Sequence, residues 1–434
     1  MEISGEADSD KAIVDAVTRR IREKLEMLIS YVRSPSCVFQ VPNHLRSVND
    51  DPYEPQIVAI GPLHHGKPHL IAMEEHKIRY LRSFLLRSDE SVSRYVQIIL
   101  DLEVNVRNSY AEPVSHTTEN FVEMMLLDGC FIIEFLCRMD RFDPIDRIDV
   151  IIGSNHMLNR LMVDLLLLEN QLPLFILQKL LVPNITEVEF IRMIFDVFGP
   201  FLPRRMYAPI DNLATFMNLL GLFHNIWQPS DARGVSDALE NGGSKKRFIG
   251  CATDLTEAGI KFKSLVDANN LFDIKFKNGI IEIPEIRIGD ETERLWRNLI
   301  AYEQLTSSRG PQHFSNYIAF MDDVIDSAKD VEILRSRGII VNRKVDDETI
   351  AILFNKIGKN VFCDRALYAD IVEDVDKHCE DKWNRWMSKW NQWMANLWDN
   401  YFNTPWAFIS FLAAIMLLLL AWTQTVYTVL SYYK

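Results

Sequence analysis

The sequence predicts a mainly α-helical protein that carries a small β-hairpin and ends in one membrane-spanning helix. Three observations lead to this prediction. Apolar residues recur every three or four positions through much of the chain, which is the spacing of amphipathic helices. One segment alternates apolar and polar residues on both sides of Asn278-Gly279, as a hairpin does. The last part of the chain is an apolar run without charge.

The N-terminal region predicts an amphipathic helix within residues 1–33. The early charges Glu2, Glu6, Asp8 and Asp10 precede no long apolar run, so we expect no secretory signal peptide. From Asp10 onward the apolar residues return at helical spacing and form one face. They are Ile13, Val14, Val17, Ile21, Leu25, Leu28, Ile29 and Val32.

The body of the protein is predicted in two halves, residues 34–227 and 249–380, on either side of a polar loop at 228–248. Five prolines within residues 38–70 indicate loops around a short extended piece at 56–60. The pattern of the first half then predicts helices, the first of which places the charged Lys77 among apolar residues. These predicted helices cover residues 72–86, 92–104, 120–137, 157–168 and 172–181.

The second half is predicted to be helical around its hairpin. The hairpin pairs Ile274 and Phe276 with Ile281 and Ile283, and Pro284 limits the next strand to an edge position or a new start. A helix is expected over residues 252–266, before the hairpin. Further helices are expected over residues 292–305, 317–327, 330–336 and 346–356.

The C-terminal region, residues 405–434, predicts a membrane anchor. No charged residue occurs between Asp399 and Lys434. The twenty residues 408–427 would span about 30 Å as a helix, the thickness of a bilayer's hydrocarbon core. The predicted anchor residues are Trp406, Phe408, Trp422 and Tyr427, because apolar and aromatic side chains favour this span and its edges. A helix buried in the protein core is the alternative interpretation.

A tryptophan-rich segment at residues 381–404 precedes the anchor. The first four tryptophans stand three or four positions apart, and Leu397 continues their face, so that they form one stripe on a helix. The stripe would lie on the membrane surface, pair with another helix, or pack on the body. The tryptophans are Trp383, Trp386, Trp390, Trp393 and Trp398.

The segment from Gly61 to Pro68 imitates a nucleotide-binding loop but lacks its chemistry. Pro62 has no N–H for a phosphate, and Pro68 replaces the hydroxyl that would hold Mg²⁺. Histidines crowd this region, yet Gly66 and Pro68 prevent the shared helical face that zinc ligands need. We therefore predict no catalytic, cofactor-binding or metal-binding residue and no cofactor. The candidate functional loop is marked by His64, His65 and Lys67.

Four polar residues lie among bulky apolar neighbours: Asp128, Glu134, Glu169 and Asn170. Buried carboxylates and amides are costly unless they are paired, so we expect them to bind backbone groups or an arginine. The alternative is a membrane-associated hydrolase or transferase. In that case His64, His65 and either Asp128 or Glu169 would converge in one cleft.

Composition restricts the class of partner. Apolar residues make up 48 % and charged residues 25 %, as in ordinary packed proteins. The 47 Lys and Arg against 60 Asp and Glu leave a net charge of −13, which disfavours nucleic acid. Six cysteines are too few for a disulfide scaffold, and reduced cytosolic thiols fit all six.

The sequence resembles the plant family known as domain of unknown function 247. The resemblance rests on blocks in order along the chain, of which the most distinctive are at residues 125–136 and 164–177. Other blocks are IGPLHHG at 60–66, EAGIKF at 257–262, RNLIAYEQ at 297–304 and NYFNTPWAFIS at 400–410. The resemblance implies a plant-specific protein with one membrane span and no established catalytic residues. Grass members are linked to pollen-side self-incompatibility, and others to stress or defence.

These observations together predict a non-enzymatic, membrane-tethered plant protein that acts in protein–protein recognition or signalling. Its expected partners are the lipid bilayer and an unknown protein, with no small-molecule substrate. We expect the plasma membrane, a single pass, and the large domain in the cytosol. The polar loop at 230–246 is the expected specificity surface, because loops tolerate change and carry binding.

Overall fold

A computed structural model describes most of the body and parts of both ends of the chain. The described residues are 13–22, 25, 37–141, 149, 151–202, 213, 216–228, 249–266, 268, 270–306, 312–342, 345–380, 390–392 and 405–432. In the last range, side chains are described only at 409, 410 and 413–425.

The first half is built around one long apolar helix, Thr118–Arg141 (α4). Its residues are buried on almost every side, from Phe121 to Cys137, because helices pack around it. The other helices of this half are α1 Asn43–Arg46, α2 Ile71–Ser88, α3 Val92–Asn108, α5 Asn155–Asp164, α6 Leu174–Leu180, α7 Glu187–Phe198 and α8 Leu219–Trp227. Helix α4 contacts α2, α3, α6 and α7.

The second half combines helices with two small sheets. Its helices are α9 Ala252–Glu257, α10 Thr292–Thr306, α11 His313–Val324, α12 Ala328–Ser336, α13 Asp347–Ile357 and α14 Ala369–Glu380. Its strands are β1 Lys261–Leu265, β2 Lys275–Lys277, β3 Ile280–Pro284, β4 Ile286–Ile288 and β5 Ile340–Asn342. The prediction of a mainly helical protein with a hairpin is confirmed.

The hairpin has the predicted turn and register. Strands β2 and β3 pair antiparallel with Phe276 opposite Ile281. Asn278 and Gly279 both have positive φ angles, 53° and 73°, which a tight hairpin turn requires. Strand β1 adds in parallel on the other side of β3, and β4 pairs in parallel with β5. Both parallel pairings join segments distant in sequence, and the sequence did not predict them.

Three predictions about local structure differ from what the structure shows. The helix expected over residues 252–266 ends at Glu257, because Gly259 adopts a φ of +89° and the chain continues as β1. The extended piece expected at 56–60 joins no strand. The helix expected over 157–168 also ends early, at Asp164, and the helices α7 and α8 were not predicted.

The two halves share one apolar core, and polar side chains also join them. Asn298 on α10 accepts a hydrogen bond from the Leu168 N–H at 2.8 Å and donates to the Pro52 carbonyl at 2.9 Å. Of the loop between the halves, residues 229–248 lie outside the described part of the chain, and so does the expected specificity surface at 230–246.

The two ends of the chain are helical where they are described. Residues 13–22 and 25 form the N-terminal helix, and Pro405–Tyr432 forms helix α15. Trp422 is 67 % exposed, whereas the side chains of Trp406, Phe408 and Tyr427 are not among those described. Trp390 is half exposed, and the other tryptophans of the stripe lie outside the described residues. Among the residues whose side chains are described, which in α15 are 409, 410 and 413–425, no helix is long and apolar enough to cross a membrane.

Candidate functional site

The candidate site is the loop of residues 52–69, which contains His64, His65 and Lys67. After Tyr53 this loop has no helix or strand, yet Val58, Ala59 and Ile60 are at most 1 % exposed. Buried N–H and C=O groups need partners, and here no strand supplies them. Side chains from four helices and the α5–α6 connection take over that role.

Asp164, at the end of α5, binds the start of the loop. Its carboxylate accepts hydrogen bonds from the backbone N–H groups of Gln56, Ile57 and Val58, at 2.6 to 3.1 Å. Arg294 on α10 donates to the same carboxylate at 2.9 Å and to the Glu54 carbonyl at 2.8 Å. One buried carboxylate therefore accepts the hydrogen bonds of three backbone N–H groups that a neighbouring strand would otherwise accept.

Asn170 binds the middle of the loop through both ends of its amide. Its Oδ1 accepts from the Ile60 N–H at 2.6 Å, and its Nδ2 donates to the Val58 carbonyl at 3.0 Å. A third hydrogen bond runs from Nδ2 to the Asp164 carbonyl at 2.9 Å. Asn170 is 1 % exposed, so this set of contacts satisfies a buried group that water does not reach.

A buried ion pair binds the backbone of residues 59–61 in this loop. Lys77 on α2 is fully buried and lies 2.5 Å from the Asp128 carboxylate on α4. Asp128 accepts from the Gly61 N–H at 2.8 Å, and the Lys77 ammonium donates to the Ala59 carbonyl at 2.6 Å. Burial alone lowers the pKa of Lys77, but Asp128 and Glu74 outweigh it and raise that pKa above its ordinary value. Lys77 is therefore charged at neutral pH.

Glu169 holds the part of the loop nearest the surface. It accepts from the Val41 N–H at 2.6 Å, pairs with Arg46, and lies 3.2 Å from His64 Nε2. Burial raises the pKa of Glu169, but the hydrogen bonds from His64, Val41 and Arg46 bring it below its ordinary value. The other ring nitrogen of His64 faces Glu54 at 3.5 Å.

The three predicted loop residues have different surroundings. His64 is 2 % exposed and lies between Glu169 and Glu54, while Lys67 pairs with Glu54. His65 is exposed, and its ring centre is 5.9 Å from that of His116. Burial, with the charges of His65 and Arg107, lowers the pKa of His116. The described residues contain no group of three or more side chains that could bind a metal.

The four polar residues singled out among apolar neighbours are paired as expected. Glu134 binds Arg87 through two hydrogen bonds of 3.0 and 3.1 Å and Arg138 through one of 3.0 Å. Asp128 accepts from the Gly61 backbone N–H, as expected, and also pairs with Lys77, which was not predicted as its partner. Glu169 and His64 lie together but are only 4 % and 2 % exposed, and the partner of Asp128 is not a histidine. The hydrolase arrangement would need these groups in one water-accessible cleft.

Sequence reasoning missed several residues that build this site. Asp164, Arg294 and Asn298 belong to helices whose relation to the loop depends on tertiary packing. Lys77 did leave a signal, because it is a charge on an otherwise apolar helical face and such a charge needs a buried partner. Glu303 left a comparable signal within the block at 297–304. It is fully buried and accepts hydrogen bonds from the first turn of α11 and from His224.

The comparisons identify the family of this chain. The sequence model of DUF247, described as a plant protein of unknown function, matches residues 38–420. The chain belongs to this family. It is similar to UPF0481 protein At3g47200 of Arabidopsis thaliana, with 28 % identity over 95 % of this chain and 90 % of the relative. Putative UPF0481 protein At3g02645 of the same plant is 24 % identical, over 89 % of both chains. No solved structure matches the chain significantly.

The ion pair can be tested through its two partners. We expect Asp128→Asn to lower the free energy of unfolding by about 3 kcal/mol, because Lys77 then remains buried with only the partly exposed Glu74, 2.7 Å away, as a countercharge. Adding Lys77→Met should restore much of this loss, since the uncompensated charge is gone. Urea unfolding of Asp128→Asn, Lys77→Met and the double variant measures the coupling energy between the two residues. Losses that simply add would contradict the pairing.

Two glycines of the loop form a matched pair for a second test. Gly61 and Gly66 both have positive φ angles, 73° and 80°, so alanine costs about 1–2 kcal/mol at either position. A Cβ at Gly61 would also lie 2.8 Å from the Tyr110 hydroxyl and 2.9 Å from the Gln171 carbonyl, whereas at Gly66 it would meet nothing within 4 Å. We expect Gly61→Ala to be destabilising by roughly 1–3 kcal/mol more than Gly66→Ala in thermal or urea unfolding. Equal losses would mean that the loop does not pack as described.

Proposed function

We propose that this protein is a non-enzymatic, membrane-tethered recognition protein. The observation that carries the proposal is helix α15, whose 28 residues from Pro405 to Tyr432 include no charged side chain. A helix of this length extends about 42 Å, which exceeds the roughly 30 Å of a bilayer's hydrocarbon core. Its central side chains Met416, Leu417, Leu418, Leu419 and Leu420 are 58 % to 71 % exposed.

Exposure of this kind favours lipid over water around α15. A continuous run of exposed leucines is unfavourable in water, and soluble proteins rarely present one. In hydrocarbon the same side chains are solvated, and the helix satisfies its own backbone. We propose one crossing with the large domain in the cytosol, at the plasma membrane. Arg385 and Lys389 before the helix, against the single Lys434 after it, support that orientation.

Recognition is the activity that the 52–69 loop supports best. Asp128, Asp164 and Glu169 are all engaged in holding backbone groups, which gives them a structural task. The clamped backbone presents His65, Gly66, Pro68 and His69 at the surface in a fixed shape. A preorganised loop loses little conformational entropy on binding, so it suits a protein contact. Tethering adds to this by raising the effective concentration near a membrane partner.

The tether is tested by two arginines in the middle of α15. We expect the native chain to stay with membranes in alkaline carbonate and the Ala413→Arg/Leu418→Arg variant to be released. Each arginine costs about 2.5–3.5 kcal/mol at the centre of a membrane-spanning helix. The matched control is Ile78→Arg/Leu86→Arg, which places the same charges on exposed apolar positions of the body. Release of the native chain by carbonate would contradict the tether.

The recognition surface is tested by proximity labelling from the full chain in plant tissue. We expect His65→Glu to remove specific labelled membrane proteins, because it adds a charge to the presented loop without touching its clamps. Lys263→Glu is the control, since Lys263 is 64 % exposed on β1 in the other half. Identical labelling by the native chain, both variants and an unfused labelling enzyme would argue against recognition.

A further inference from the structure

We propose that the N-terminal amphipathic helix of this chain docks on the exposed apolar face of α2. This α2 face consists of Ile71, Ile78, Leu81, Leu85 and Leu86. The inference concerns a contact within the body of the protein. It goes beyond the proposed function and does not depend on the membrane tether.

The α2 face lies opposite the side by which α2 packs on α4. Met73, Lys77, Tyr80 and Phe84 are buried against the core. On the outer side Ile71, Ile78 and Leu86 are 56 %, 57 % and 77 % exposed. Between them is a shallow depression of about 340 Å³, which Ile78, Leu81, Arg82, Leu85 and Leu86 line. An apolar patch with a depression at its centre is typical of a surface that binds a partner.

The N-terminal helix has an apolar stripe of matching character. Its described residues 13–22 and 25 are helical, and the stripe side chains are 43 % to 60 % exposed. A helix of this length is only marginally stable in water by itself, so it needs a surface that buries its stripe. The stripe residues are Ile13, Val14, Val17, Ile21 and Leu25.

The chain geometry brings the two apolar surfaces within reach of each other. The N–H groups of Cys37 and Val38 both donate to the Ser109 carbonyl, at 2.8 and 3.0 Å, directly after α3. Val38 pairs with Tyr110, and the Tyr110 hydroxyl lies against Gly61 in the loop that leads into α2. Residue 37 is therefore anchored beside the 59–61 segment, which Lys77 of α2 also contacts through the Ala59 carbonyl.

The connecting segment is long enough for docking. From residue 25 to residue 37 the chain can extend about 40 Å. Helix α2 is about 27 Å long, so every position of its outer face is within this reach. A connection of this length also gives an effective concentration of roughly millimolar, which favours docking within one chain over binding to a separate molecule.

Crosslinking in the full chain tests the contact. Val17→Cys and Ile78→Cys are combined in a chain whose partly exposed Cys251, Cys363 and Cys379 are replaced by serine. We expect a short bismaleimide to join the two cysteines within one chain, at a yield roughly tenfold above the controls. One control moves the first cysteine to the polar side of the helix, as Arg19→Cys with Ile78→Cys. The other keeps Val17→Cys and places the second cysteine at Val188, which is 66 % exposed on α7.

A second measurement follows the α2 face alone. The Ile78→Cys thiol should react with a maleimide several-fold faster when Val17→Glu is also present, because the charged stripe no longer covers it. Both positions are exposed, so these variants keep the folded body. Equal crosslinking in the test and control pairs would overturn the proposal, and so would an unchanged maleimide rate. Crosslinks only between two chains would identify a second copy as the occupant and also overturn it. Carbonate extraction is unaffected by all of these variants, which separates this test from that of the tether.

Discussion

The need to satisfy buried backbone groups without a strand determines much of this structure. Residues 58–61 are buried in the interior, where each unpaired N–H or C=O would cost free energy. The chain solves this with side chains of fixed geometry: the carboxylates of Asp164 and Asp128, the amide of Asn170 and the ammonium of Lys77. Because these groups come from α2, α4 and the α5 region, the loop and the helix arrangement depend on each other.

Two buried ion pairs take part in this arrangement, and their burial is a cost as well as a benefit. The interaction of Lys77 with Asp128 has to offset the removal of both groups from water. A buried pair of this kind stabilises little compared with apolar packing, but it penalises every arrangement in which one partner is missing. The same holds for Arg294, which binds Asp164 and the Glu54 carbonyl from the other half of the chain. We interpret the Lys77–Asp128 pair as a device that selects the packing of α2 on α4, and the Arg294–Asp164 pair as one that selects the packing of the two halves.

The surfaces that remain apolar lie away from this polar centre. The outer face of α2, the N-terminal stripe and the central part of α15 all expose large aliphatic side chains. Each surface needs a neighbour that water does not provide. Under our proposals the bilayer surrounds α15 and the N-terminal stripe covers the outer face of α2, which leaves the clamped loop as a presented surface. This distribution of surfaces is consistent with the proposed role in recognition.

Periodicity in the sequence was sufficient for the helices that bury one stripe or are apolar throughout, such as α2 and α4, and for the hairpin at Asn278-Gly279. These features are local, because spacing and turn chemistry over a few residues decide them. The sequence also indicated that Asp128, Glu169 and Asn170 need buried partners, since a polar group among apolar neighbours is otherwise too costly.

Only the tertiary structure decided which groups pair with these buried polar residues. The Ile60 N–H lies 110 residues from Asn170, and Arg294 lies 130 residues from Asp164. The parallel pairings of β1 with β3 and of β4 with β5 were undecided for the same reason. The apolar residues beside a polar residue in the sequence indicate that it will be buried and needs a partner. Which distant group pairs with it depends on how the helices pack, and spacing along the chain does not encode that packing.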